Sequence, residues 1–87
     1  MGEYAIEVAP PASRQLRKLP PQVQVRILAA FDQLAQNPRH PGCEKLEGGS
    51  NTYRVRVGDY RVVYEIQDRI LVVVVVRVAH RRHVYDR

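Results

Sequence analysis

A two-residue turn between two alternating segments is the feature that most constrains the fold of this chain. Residues 53–57 and 60–66 largely alternate apolar and polar side chains, which indicates two β-strands that each bury one face. Gly58-Asp59 separates them, and a glycine at the first central position is typical of a type II′ hairpin turn. The sequence therefore predicts a β-hairpin whose register is set by the turn.

The predicted register gathers arginines on one face of this hairpin. Arg56 lies opposite Arg61 in that register. The face assigned to the helices carries Tyr53, Val55, Val57, Tyr60, Val62 and Tyr64, and the other face carries Arg54, Arg56 and Arg61. Like charges directly opposite each other cost up to about 1 kcal/mol, so we interpret the second face as an anion site. A solvated face, on which the arginines increase solubility, is the alternative.

Two helices and two further strands are predicted from the remaining sequence. Residues 4–8 alternate as a short strand, and residues 70–78 are almost all valine, as in a strand buried on both faces. Apolar residues recur at helical spacing on both sides of Pro20-Pro21, which predicts a helical hairpin. The stripes are Ala12, Leu16 and Leu19 in the first helix and Val23, Ile27, Leu28, Phe31, Leu34 and Ala35 in the second. Residues 38–51 are predicted to be mostly loop.

These elements predict a single two-layer α+β domain spanning residues 1–87. We expect an antiparallel four-stranded sheet with the strand order 1-4-3-2 and the helical hairpin on one face. The valine strand is too apolar for an edge position, and it ends the meander of three strands. The first strand must therefore pair on its far side.

Arginine dominates the basic residues of the chain. There are 14 lysines and arginines against 9 acidic residues, a net charge of +5, and the only lysines are Lys18 and Lys45. Arginine binds phosphate through two parallel hydrogen bonds and stacks on bases, so this composition favours a nucleic-acid partner. A genome that prefers arginine to lysine explains the composition equally well.

Other classes of protein fit the sequence poorly. The single cysteine, Cys43, excludes an intramolecular disulfide, and no residues join His80 and His83 at metal-ligand spacing, so we expect no metal and no cofactor. His40 and Cys43 are interpreted as loop residues without a catalytic role. No apolar run approaches the roughly 20 residues that span a bilayer, and no signal peptide is evident. The prediction is a cytoplasmic protein that does not contact membranes.

The C-terminal segment adds groups suited to RNA cleavage. His80, Arg81, Arg82, His83 and Tyr85 follow the valine strand directly and can fold back over the arginine-bearing face. Cleavage by a 2′-hydroxyl needs a proton acceptor, and it needs cations to stabilise the crowded phosphorane. A frayed basic terminus is the alternative interpretation.

Three segments resemble the RelE/ParE toxin superfamily. The hairpin at residues 53–66 is similar to the core hairpin of that superfamily, and the stretch from Ala12 to Pro20 and the ending from His80 to Tyr85 resemble it too. The resemblance implies the toxin of a type II toxin–antitoxin system, with a RelE-like fold. It further implies a metal-independent endoribonuclease that cleaves mRNA in the ribosomal A site and leaves a 2′,3′-cyclic phosphate.

The resemblance also implies which residues act. The implied catalytic set is Arg54, Arg56, Arg61, Arg81 and Tyr85. The basic character of the C-terminal half, not the resemblance, extends the predicted RNA-binding set to Arg77, Arg82 and His83. The best-known ribosome-dependent members carry lysines where this chain has Arg54 and Arg56. Because arginine does not lose its proton, a base role for a strand lysine does not carry over. His80 and His83 are therefore the candidate general bases, and His80 is preferred because it directly follows the valine strand.

Partners and competing functions follow from the same resemblance. It implies a cognate antitoxin, mRNA and the ribosome as partners, with operator DNA bound only through the antitoxin complex. The ParE branch shares the fold but inhibits DNA gyrase and is not a nuclease, so a ParE-like toxin is one alternative. A basic RNA-binding module without catalytic activity is another.

Overall fold

The computed structural model describes residues 3–48 and 51–80. Its elements are β1 (Ala5–Val8), α1 (Pro10–Arg17), α2 (Pro21–Gln36), β2 (Cys43–Lys45), β3 (Thr52–Val57), β4 (Tyr60–Gln67) and β5 (Val72–His80). A single 3₁₀ turn, Asp68–Ile70, joins β4 to β5. The predicted α+β fold, with two helices packed against one face of a sheet, is confirmed.

Proline begins both helices. Pro10 and Pro21 open α1 and α2, where the missing N–H has no intrahelical partner to lose. Ile27, Phe31 and Leu34 are buried, which confirms the centre of the predicted stripe on α2. Leu28 was wrongly placed in that stripe, because it is 49% exposed. Within the described residues, neither helix is long and apolar enough to cross a membrane.

The sheet contains five strands in the order β1-β5-β4-β3-β2. The predicted order of the four longer strands is confirmed, and the number of strands is corrected. The added strand, β2, lies in the segment predicted to be mostly loop, and it pairs with residues 53–55 of β3. Three residues are too few to show an alternating pattern, so periodicity could not reveal this strand.

The prediction of a purely antiparallel sheet is also wrong, because β1 pairs with β5 in parallel. Ala5 lies opposite Val72, and Val8 lies opposite Val75. Parallel neighbours require a long crossover, and the two helices together with the later strands provide it. Periodicity indicates which face of a strand is buried but not the direction in which the strand runs.

The register of the β3–β4 hairpin is as predicted. Val57 lies opposite Tyr60, Arg56 opposite Arg61, and Tyr53 opposite Tyr64. Gly58 has φ +60°, which agrees with a type II′ turn and is strained for any other residue. The local turn chemistry therefore determines which side chains share each face.

The valine strand begins later than predicted and is less buried. β5 starts at Val72 because Leu71 adopts φ 55° at the end of the 3₁₀ turn. A bulge between the pairs Val63–Arg77 and Tyr64–Val75 leaves Val76 as an extra residue in β5. The valines of β5 that face the helices are buried. Those on the opposite face are only half-buried, because the helices cover one face of the sheet.

Tyr64 anchors the core. Its side chain is fully buried, and its hydroxyl donates a hydrogen bond of 2.7 Å to the carbonyl oxygen of Pro38. The Tyr53 ring stacks beside it with a centroid separation of 6.0 Å. The buried cluster comprises Ala12, Ile27, Phe31, Leu34, Val55, Val62, Tyr64, Ile66, Val73, Val75 and Val78. This packing holds the hairpin on the helices and directs its other face outward.

Candidate functional site

Four arginines of three neighbouring strands share the face of the sheet opposite the helices. Arg54 and Arg56 lie on β3, Arg61 on β4 and Arg77 on β5. Arg56 pairs with Arg61, while Arg54 and Arg77 flank Val63 on either side. We call this set of four residues the arginine face. The structure thus brings together the described arginines that the sequence analysis selected.

Arg61 differs from its neighbours in being buried, with an exposed fraction of 4%. The directly opposite Arg56 adds like-charge repulsion at this position. Such a pair is not expected from selection for stability alone. It favours a surface arranged for an anion, whose charge offsets the repulsion.

Glu44 binds one arginine of this face, Arg54. The Arg54 Nε atom donates a 2.9 Å hydrogen bond to Glu44 Oε1, and Arg54 Nη2 lies 2.8 Å from the same oxygen. The hydrogen bond and charge of Arg54, followed by the charges of Arg56 and Arg61, lower the pKa of the Glu44 carboxyl. Sequence reasoning missed Glu44, because its placement depends on the unpredicted strand β2.

A groove of about 850 Å³ runs beside the edge of β3. Because β2 covers β3 only at residues 53–55, the edge stays open from Arg56 to Gly58. The groove is lined by Arg26, Ala29, Ala30 and Gln33 of α2, by residues 40–42, by Glu44, and by Arg54, Arg56, Gly58 and Arg61. His40, interpreted above as a loop residue without a catalytic role, is half-buried and lines the groove.

His80 lies on the other side of the sheet from the buried arginine. It pairs with Tyr60, and the two rings meet edge to face with centroids 5.3 Å apart. Arg61 pairs with Ala79, and alternation directs its side chain away from the face that carries Tyr60. The geometry therefore does not bring His80 to the arginine face. Arg81, Arg82, His83 and Tyr85 lie outside the described residues.

A second polar cluster ties the opposite end of β3 to the rest of the fold. The Arg39 guanidinium donates to both carboxylate oxygens of Asp68, at 3.0 and 2.9 Å, and its Nε donates to the Tyr53 hydroxyl at 3.2 Å. The Tyr4 hydroxyl donates to Asp68 Oδ1 at 2.7 Å. We call these four residues the clamp.

The clamp alters the acidity of its carboxylate. Hydrogen bonds from Arg39 and then Tyr4 stabilise the ionised form of Asp68 and lower its pKa to about 2. The sequence analysis missed this cluster, since its members lie far apart along the chain. Each is unremarkable in its own segment.

The chain matches one family model over almost its whole length. Residues 6–85 match the model described as the ParE toxin of the type II toxin–antitoxin system, parDE. Toxin RelG of Mycobacterium tuberculosis is 34% identical over 85 residues, which make up 97% of this chain and 98% of that protein.

Solved structures show the same fold. The RelBE2 toxin–antitoxin complex of Mycobacterium tuberculosis contains a chain with 32% identity and a TM-score of 0.81, covering 90% of this chain and 98% of that one. The archaeal RelE–RelB complex of Pyrococcus horikoshii gives 30% identity, a TM-score of 0.79 and coverage of 91% and 96%. The isolated E. coli RelE toxin gives 26% identity, a TM-score of 0.79 and coverage of 88% and 83%.

Proposed function

Because this chain belongs to the ParE toxin family of type II toxin–antitoxin systems and has a RelE-like fold, we propose that it is an endoribonuclease that cleaves mRNA in the ribosomal A site. Its relatives include chains solved as toxin–antitoxin complexes, which supports a cognate antitoxin as partner. In this proposal the antitoxin restrains the toxin, and operator DNA is bound only through the complex of the two.

The pairing of Arg56 with the buried Arg61 on the wall of the groove carries the proposal. The buried Arg61 is the more constrained of the two, and both guanidiniums line a groove large enough for a nucleotide. Donors held in place before the reaction need no reorganisation when charge develops on a phosphorane. The guanidiniums that line the groove are groups that suit the phosphates of an RNA backbone.

The chemistry requires no cofactor. The 2′-oxygen attacks the adjacent phosphorus, the bond from phosphorus to the 5′-oxygen breaks, and the products are a 2′,3′-cyclic phosphate and a 5′-hydroxyl. One group accepts the 2′-hydroxyl proton and another protonates the leaving oxygen. In this proposal Arg54, Arg56 and Arg61 stabilise the phosphorane, and Arg81 and Tyr85 contribute as the family resemblance implies. Arg77, Arg82 and His83 bind flanking phosphates.

Two groups compete for the role of proton acceptor. His80 is the prediction from sequence, and Glu44 is the alternative that the structure adds. The position of Glu44 supports it, because its carboxylate lies on the groove beside Arg54, whereas His80 packs on Tyr60. An RNA phosphate that draws Arg54 away would also raise the basicity of Glu44 again.

Cleavage of mRNA on programmed ribosomes tests the function. The purified toxin should generate 5′-hydroxyl ends within the A-site codon, and the cognate antitoxin should suppress them. Arg56→Gln should slow cleavage roughly 10²-fold, whereas Arg14→Gln, an exposed α1 arginine away from the groove, should cleave normally. An absence of new RNA ends with the folded wild-type protein would refute the proposal.

Single-turnover rates of two further variants identify the base. If Glu44 accepts the proton, Glu44→Gln should lose roughly 10²–10⁴-fold in rate while His80→Ala retains it. Because the pKa of Glu44 is already low, the wild-type rate should not fall between pH 7 and pH 6. If His80→Ala loses this rate and Glu44→Gln retains it, His80 is the proton acceptor.

The family model itself supports a second candidate, a ParE-like toxin that inhibits DNA gyrase without cutting RNA. A supercoiling assay with purified gyrase separates the two. Inhibition of supercoiling by a protein that leaves ribosome-bound mRNA intact would establish the ParE-like function. A non-catalytic RNA-binding module would do neither.

A further inference from the structure

The wall of the groove that α2 forms combines small side chains with one arginine. Arg26, Ala29, Ala30 and Gln33 recur at intervals of three and four, so they form one strip along the helix. This strip lies beside the core stripe that Ile27, Phe31 and Leu34 bury. Two alanines between an arginine and a glutamine leave space along the helix, with a charged group at one end.

Arg26 reaches from this wall to the hairpin turn. A Cβ atom added at Gly58 would lie 3.3 Å from both Nη1 and Nη2 of Arg26. The glycine thus permits a close approach of the guanidinium that a larger residue would obstruct. Arg26 of the helix layer and Arg56 of the sheet layer are brought to the same stretch of the open edge of β3.

Within residues 3–48 and 51–80, no carboxylate forms a salt bridge with Arg26 or Arg56. The salt bridges between described residues are Arg39–Asp68 and Arg54–Glu44, and neither involves Arg26 or Arg56. The positive charge of the arginine face therefore continues around the edge of β3 onto α2.

We propose that this α2 wall is a second phosphate subsite of the RNA site, in which Arg26 binds the phosphate of a nucleotide next to the cleaved one. The inference rests on the proposed nuclease function and deepens it. The RNA strand passes around the open edge of β3, and its sugar and base lie over Ala29 and Ala30. Arginine forms two parallel hydrogen bonds to a phosphate, and the neighbouring Arg56 favours a chain with repeated charges over a single carboxylate.

The test measures single-turnover cleavage of mRNA on programmed ribosomes with increasing toxin. Arg26→Gln should raise the half-saturating toxin concentration about fivefold, as expected for one exposed charge-assisted contact, and should leave the maximal rate unchanged. Arg26→Lys should recover part of the loss, because lysine binds phosphate as a point charge. Arg14→Gln is the matched control and should behave as the wild type.

A second variant tests the space rather than the charge. Ala30→Leu narrows the groove without altering any charge, and it should also raise the half-saturating concentration. Unfolding curves of both variants should match the wild type, because Arg26 is exposed and Ala30 is only half-buried.

The outcomes separate the two proposals. If Arg26→Gln and Arg14→Gln have the same half-saturating toxin concentration while the wild type cleaves mRNA, the proposed subsite is wrong. The proposed nuclease function is then unaffected. A lower maximal rate with unchanged half-saturation would also overturn the subsite. If Arg26→Gln weakens only inhibition by the antitoxin, the groove binds an acidic peptide instead. A wild-type protein without cleavage would refute the nuclease proposal itself.

Discussion

The two ends of β3 use arginine in opposite ways. At the clamp, Arg39 meets both oxygens of Asp68 and a tyrosine hydroxyl, so its charge is matched by partners of the same fold. At the groove, Arg54 bonds the carboxylate of Glu44, and Arg56 and Arg61 lie on the same face of the sheet. The clamp joins distant segments of the chain, whereas the groove gathers several guanidiniums on a surface that a ligand can reach. Variants at the two ends should therefore separate stability from activity.

The largest effect is expected beside the clamp, in the core. Tyr64→Ala removes a fully buried ring that stacks on Tyr53, and it should lower the free energy of unfolding by about 3–5 kcal/mol. Urea denaturation measures this loss. A loss below about 1 kcal/mol would mean that Tyr64 is not the anchor of this end.

The next effect is on activity at the groove. Arg61→Gln should reduce single-turnover cleavage roughly 10²–10³-fold, because it removes a fixed donor to the phosphorane. Arg14→Gln serves as the control. Normal cleavage by folded Arg61→Gln would show that Arg61, like Arg39 of the clamp, is structural.

A smaller change removes only the Tyr64 hydroxyl near the clamp. Tyr64→Phe keeps the ring but removes the donor to the Pro38 carbonyl oxygen, so we expect a loss of about 1 kcal/mol. Urea denaturation again provides the measurement, and cleavage by the folded variant should stay at the wild-type rate. A fall in cleavage with unchanged stability would link this residue to the groove.

The smallest effect is expected from the exposed ion pair. The pKa of Asp68 is lowered from 3.8 to about 2, so its ionised form stabilises the fold above about pH 4, and that stability is lost as the pH falls toward 2. Asp68→Asn should lower the Tm slightly at pH 7 and make stability less dependent on pH between 4 and 2. Thermal unfolding at both pH values tests this. If the Tm of the wild type and of Asp68→Asn depends on pH in the same way, the ion pair of the clamp does not contribute to stability.

The hairpin shows how much of the site was accessible from sequence. Gly58 and its neighbour set a register that places Arg56 opposite Arg61, and no distant residue is needed to establish it. Glu44 and Arg26 could not be found in that way. Glu44 depends on a three-residue strand at the edge of β3, and Arg26 reaches the site only because α2 packs beside Gly58.

The sequence by itself determined the elements and the faces of the longer strands, because turn geometry and hydrophobic periodicity act over a few neighbouring residues. Only the tertiary structure decided the parallel pairing of β1 with β5, the open edge of β3 and the joining of Arg39 to Asp68. These features arise between segments separated by tens of residues, where packing of the two layers sets direction and distance. The groove between β3 and α2 likewise exists only in the tertiary structure.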